Sequence, residues 1–282
     1  MATTIDTDLL LDTLSNKALT YLGHVLAPIT AYSTDFTTNY LPQTKSVQVP
    51  VVTGGSAALK NPTDFESGTA TTTNIAVTVD HYSAPFDLSS CQINNRFSIE
   101  TLAEAKLNLL AEAIAGVIAP LFNSTNFPGT GVTVAQSSFA AANAKTLLGA
   151  LGKNPRKSLL LDSVAFAQLA PENKNAFQLS EAGAYGFNGI YQQTFWIGAE
   201  AKTYGVACGP AAVAIAAGLP ILAPKGADQM LQQKTITIPG IGLSVQLNYW
   251  FSTKTRSQWA SYDIMFGAAA GLSDAAVLVK AP

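Results

Sequence analysis

The sequence predicts an α+β fold, and three observations carry that expectation. They are a long polar hairpin without a core of its own, one long amphipathic helix directly after it, and a C-terminal run of strands separated by turn residues. In the hairpin, Val47, Val49 and Val51 alternate with Gln48 and Pro50, and Ile75, Val77 and Val79 alternate with Ala76 and Thr78. A period of two is the mark of strands with one covered face. Between the runs lie about twenty residues, 53–72, mostly Gly, Ser, Thr, Asn, Asp and Pro, a loop length that is uncommon in a compact domain. A two-stranded hairpin is marginal in water by itself. The arm therefore needs a surface, and a second copy of the chain is its simplest supplier.

Ahead of the hairpin, residues 1–43 read as an extended arm holding one or two short helices. Leu10, Leu14, Ala18, Leu22 and Val25 sit near helical spacing, and Pro28 closes the segment. After the hairpin, Ile99, Ala103, Leu107, Leu110, Ile114, Val117 and Leu121 step by three or four, while Glu100, Glu104, Asn108 and Glu112 step by four on the other side. This predicts a helix over 98–121 with Ser98 as N-cap, Glu100 in the first turn and Pro120 at its end. At ~1.5 Å per residue it spans roughly 35 Å, enough to act as a spine.

A second helix is predicted over 135–151, stopped by Gly152. The apolar strand 158–161 follows, then a helix capped by Asp162 or Ser163 and ended by Pro171. Residues 190–196 and 205–217 read as further strands, which makes 130–222 a compact α/β unit. In the tail, 235–238, 243–251, 257–264 and 276–279 have strand character, with turns at Pro239-Gly240, 252–255 and 267–271. These strands are expected to pair with one another and to pack on the spine helix.

Composition narrows the classes of function. Charged residues make up 12% of the 282, about half the usual ~25%. So little charge in a chain rich in Thr, Ser, Asn and Gln points to a surface that meets protein. A net charge of −2 offers no basic field for reading nucleic acid or binding an anionic membrane. The two cysteines, Cys91 and Cys208, form no metal-binding or redox motif and read as buried free thiols. The first eleven residues lack a basic n-region, so no secretory signal is expected, and Gly209, Pro210, Gly218 and Pro220 break the apolar stretch 206–223.

No catalytic constellation emerges. The chain has two histidines, His24 and His81. It contains no GxSxG elbow, no P-loop and no HExxH, and Gly240-Ile241-Gly242 lacks the third glycine of a dinucleotide fingerprint. Asp80 and His81, adjacent on a strand, point to opposite faces, so His81 reads as a solvated or interface residue. Glu100, Glu104 and Glu112 read as a solvated or partner-facing stripe. Asn123-Ser124-Thr125 is a sequon without a secretory route, and the tail aromatics Tyr249, Trp250, Phe251, Trp259, Tyr262 and Phe266 read as core. No cofactor and no metal is expected.

The order of parts resembles the major capsid proteins of tailed bacteriophages, whose HK-ninety-seven-like fold is shared with encapsulin shells. Local residues resemble them too: Val49-Pro50-Val51-Val52 leading into Asn61-Pro62-Thr63-Asp64-Phe65-Glu66, His81-Tyr82-Ser83 ahead of the spine, Leu159-Leu160-Leu161-Asp162-Ser163 with Phe166, and the run from Tyr262-Asp263 to Gly267-Ala268. The resemblance implies an N-terminal arm (1–43), an extended hairpin loop (44–92), a peripheral domain with the spine helix (93–130 and 223–282) and an α/β axial domain (131–222). It implies inter-subunit contacts in the extended loop through Lys60, Asn61, Pro62, Asp64, Phe65 and Glu66. Some relatives crosslink through a lysine of that loop, but no asparagine or acid here can be paired with Lys60.

The implied role is structural. Copies would form pentamers and hexamers of a closed icosahedral head, assembled in the host bacterial cytoplasm and enclosing double-stranded DNA without specific contacts. A portal protein would occupy one vertex, a separate or cleaved scaffold would guide assembly, and no membrane would be involved. An encapsulin-type compartment is the alternative within the fold. Outside it stand an intracellular enzyme with an unrecognised site and a surface-layer protein.

Overall fold

The computed structural model describes residues 7–39, 45–55, 70–88, 96–152, 154, 156–169, 185–193, 199–221 and 228–282. The helices are α1 (Thr7–Val25), α2 (Ile29–Tyr32), α3 (Arg96–Ile118), α4 (Ala141–Ala150) and α5 (Ser163–Leu169). The strands in chain order are β1 (Ser33–Asp35), β2 (Ser46–Gly55), β3 (Ala70–Thr78), β4 (Asp80–Leu88), β5 (Val132–Thr133), β6 (Ser158–Leu161) and β7 (Gly189–Gln192). They continue with β8 (Thr203–Cys208), β9 (Val213–Gly218), β10 (Gln229–Thr237), β11 (Ser244–Ser252), β12 (Ser257–Ala270) and β13 (Ala276–Lys280). The α+β class is as the sequence predicts.

The larger sheet runs β1-β9-β12-β11-β10, with β4 also on β12. Its organiser is β12. One edge pairs with β11 and the other is shared by β4 (at 258–266) and β9 (at 265–270). Strand alternation turns Tyr262, Ile264 and Phe266 to one face, where they meet Leu107, Leu110 and Ile114 of α3 and Leu14, Ala18 and Leu22 of α1 in one buried cluster. Burying a side chain of this size is worth about 1.5–3 kcal/mol, so this cluster supplies most of the favourable term.

The smaller sheet runs β5-β13-β8-β6-β7. One face carries α4 and α5 over a second cluster that includes Phe139, Leu147, Leu161, Tyr204 and Val279. The other face contributes Leu160, Val206, Cys208 and Leu278 to the first cluster, so the two sheets share a core. Burial pushes the Cys208 thiol up, as befits a structural free cysteine. Cys91 lies outside the described residues.

Several expectations are corrected. Within the segment expected to be an arm with one or two short helices, residues 7–25 are one long helix. Its Leu11, Leu14, Ala18 and Leu22 are in the core, because an apolar stripe of that length gains most by lying beside the stripe of α3. The spine helix begins at Arg96, which places Ser98 inside it and not at its cap. The predicted helix 135–151 is a 3₁₀ turn at Gln136–Ser138 followed by α4, and Gly152 closes it with φ +55°. The stretch 205–217 is two strands in different sheets. The turn at 209–212 carries the chain across, so β9 joins the larger sheet and β13, from the tail, joins the smaller one.

Candidate assembly surface

The second face of the larger sheet carries the hairpin β2–β3. Their register pairs Val47 with Val77, Val49 with Ile75 and Pro50 with Asn74, so odd-numbered residues share one side. Val47, Val49, Val77 and Val79 are buried against Ala214 and Ala216 of β9, with Phe36, Val51, Met265 and Ala269 around them. The root thus takes its surface from its own chain, where a second copy was the simplest expected supplier. Farther out the cover ends: Val51 is half-buried, Val52 is 59% exposed and Thr71, Thr72, Thr73 and Asn74 are exposed.

Close approach at the root requires a residue without a side chain. A Cβ on Gly267 of β12 would sit 2.0 Å from the carbonyl oxygen of Thr78, where the chain leaves the hairpin. The same face holds a buried polar chain. Asp263, fully buried, accepts from Asn248 Nδ2 (2.8 Å) and from Ser261 Oγ, and lies 3.0 Å from His81 Nε2. Gln233 Nε2 donates in turn to Asn248 Oδ1 (2.8 Å), so the chain crosses β10, β11, β12 and β4. A buried carboxylate is tolerable only with such donors. His81 is therefore the partner of a carboxylate on another strand, while its ring stays about one-third exposed. The sequence neighbour Asp80 does not enter the network, as strand geometry predicts.

The acidic stripe of α3 also faces a partner within the chain. Lys17 of α1 lies 2.6 Å from Glu104 and 3.7 Å from Glu100, and the Tyr21 hydroxyl donates to Asn108 Oδ1 (2.8 Å). Lys17 is held above its ordinary pKa, first by the hydrogen bond to Glu104. These contacts and His24 rim a groove of about 460 Å³ between α1 and α3. Elsewhere Ser124 N and Oγ and Lys280 Nζ all donate to Glu200, a surface tie between two loops and β13.

Among the described residues, no three His, Cys, Asp or Glu side chains gather as metal ligands, and no helix is long and apolar enough to cross a membrane. The predicted contact residues Lys60, Asn61, Pro62, Asp64, Phe65 and Glu66 lie outside the described residues. The residues that seat the hairpin, Gly267 and Met265, were not predicted as such: 267–271 reads as a turn, whereas β12 continues through Ala270.

No protein-family profile and no curated protein matches the chain. Solved structures do. A virus-like particle from Pyrococcus furiosus matches over 95% of this chain and 98% of its own at TM-score 0.56 and 12% identity. The capsid of cyanophage P-SCSP1u matches over 89% and 86% at TM-score 0.51 and 13% identity. A structure from Mycobacterium phage Ogopogo matches over 91% and 92% at TM-score 0.50 and 12% identity. The likeness is one of fold: this chain has the HK-ninety-seven-like capsid fold, with hairpin, spine helix and two sheets in their expected order.

Proposed function

We propose that the chain is the building block of a closed protein shell, the major capsid subunit of a tailed phage head that encloses double-stranded DNA. The observation that carries this is the hairpin. Its root is fixed to the sheet by four buried valines, while farther out Val52 and Thr71, Thr72, Thr73 and Asn74 are exposed. An arm seated at its root, with strands that carry no charge, is suited to lying across a neighbouring copy, and the fold is one that shells share. The loop tip with Lys60, Asn61, Pro62, Asp64, Phe65 and Glu66 then makes the contact. In this reading the larger sheet with α1 and α3 is the peripheral body and the smaller sheet with α4 and α5 the axial one. Scaffold, portal and DNA are the partners that such a head requires.

A second reading, an encapsulin-type compartment, draws support from α1. Helix α1 packs into the body through Leu11, Leu14, Ala18 and Leu22. One experiment separates the two. The chain is expressed alone and imaged by negative-stain electron microscopy with light scattering, and any particles are assayed for nucleic acid. The head reading expects capsomers, or shells that close with a scaffold; uniform closed shells without scaffold favour the compartment. A dispersed monomer, unchanged by scaffold or crowding agent, ends both.

A further inference from the structure

The two outer edges of the hairpin are not equivalent. At its root Val79 N donates to Lys45 O (2.9 Å), which fixes the alternation of the ladder above. Pairs 47–77, 49–75 and 51–73 exchange backbone hydrogen bonds, whereas at 48–76, 50–74 and 52–72 the N–H and C=O groups point away from the partner strand. On β2 the outward positions are Gln48, Pro50 and Val52. Proline has no N–H, so the middle donor of that edge is missing, one of the ways in which proteins keep an edge strand from pairing. On β3 the outward positions are Thr72, Asn74 and Ala76, all exposed and none a proline.

Among the described residues, β3 pairs with β2 alone. The other sheet edges are short or guarded: β4, which among the described residues pairs with β12 alone, carries Asp80, Pro85 and Asp87. β1, β5 and β7 have three, two and four residues. β10 has a register shift between Met230 and Gln232 and an exposed Lys234.

We propose that the outer edge of β3 is where the hairpin pairs with a strand of a second copy of this chain, through the backbone groups of Thr72, Asn74 and Ala76, and that Pro50 closes the opposite edge. The inference rests on the shell reading and sharpens it. Two features select a second copy as occupant. Ser46–Gly55 and Ala70–Thr78 contain no charged residue, so identical hairpins approach without repulsion. Three outward donors also provide only a few backbone bonds, each modest in net terms. That is thin for a solitary partner but sufficient when the contact is repeated around a closed assembly.

Amide exchange on assembled particles and on dissociated subunits, read at single residues, tests the edge directly. Assembly is expected to slow exchange at Asn74 and Ala76 at least a hundredfold and to leave Gln48 and Val52 unchanged. Fast Asn74 and Ala76 amides in particles, or slowed Gln48 and Val52 amides, overturn the assignment. The substitution arm agrees or disagrees independently. Asn74→Pro removes the central outward donor and no β2–β3 bond, as Pro50 opposite already does. It is expected to raise the concentration of unassembled chain at least tenfold, while Gln48→Pro assembles normally. Undiminished particles from Asn74→Pro, or an equal failure of Gln48→Pro, count against the proposal. A wild-type chain that never forms particles fails the shell reading itself, whereas particles with a fast Asn74 amide fail only the edge.

Discussion

Two carboxylates in this molecule are built from nearly the same parts and placed in opposite surroundings. Asp263 takes a hydroxyl from Ser261, an amide from Asn248 and the imidazole of His81, with no exposed surface of its own. Glu200 takes the hydroxyl and backbone N–H of Ser124 and the ammonium of Lys280, and stays about one-third exposed. Partner chemistry alone would rank them as equals. Burial separates them, because losing a partner in the interior strands desolvated groups while losing one at the surface hands them to water. The first network belongs to the sheet that seats the hairpin, and the second only ties a loop to the end of β13.

The comparison breaks most visibly at Asp263→Ala. The change leaves Asn248, Ser261 and His81 without their acceptor and is expected to cost about 2–4 kcal/mol. Denaturant unfolding of the free subunit measures it. A loss no greater than that from an exposed substitution would mean that water reaches the site. Next in size is Gly267→Ala, on the same face of β12 four residues along. The new methyl group meets the Thr78 carbonyl and must lift the hairpin root. Overpacking of this kind costs about 1–3 kcal/mol. Its particular signature is faster amide exchange at Val47 and Val77, with the core amides of β11 unchanged.

These two sites also mark how far the sequence can be read. The spine helix was legible because its apolar residues repeat at three and four, and the strands of the tail because turn residues separate them. What a periodic pattern leaves out is the partner. Leu10, Leu14, Ala18 and Leu22 announce a helical stripe without saying that α3 covers it, which is why α1 was expected in an arm. The 205–217 run is apolar throughout, so nothing in it announces a change of sheet at 209–212. His81 was weighed against its neighbour Asp80, while its true partner is 182 positions away. The tip residues from Lys60 to Glu66 come from resemblance alone, and no local pattern points to them.

Smaller effects sharpen the contrast from the other side. Lys280→Ala removes an ion-pair partner of Glu200 and the donor to Ser124 Oγ at 2.6 Å. Both groups become hydrated in exchange, so the midpoint of thermal unfolding is expected to move by no more than about 2 °C. Asn248→Ala, which also removes one partner of a carboxylate but in the interior, should shift it by more. Equal shifts would dissolve the distinction drawn from burial.

The smallest effect is one of pH. The Lys280 ammonium, followed by the Ser124 hydroxyl and N–H, holds the Glu200 carboxyl down to about 2 from an ordinary 4.5. A depressed carboxyl stabilises the fold fully above the unfolded value, and that contribution is lost as pH falls from about 4.5 towards 2. The wild-type midpoint should therefore approach that of Glu200→Gln across this window, and the gap between them should be largest above pH 4.5. Because the site is partly exposed, added salt should narrow the gap at every pH. A gap that widens on acidification would reverse the sign and show that Glu200 is held protonated, the behaviour of a buried acid without a cation.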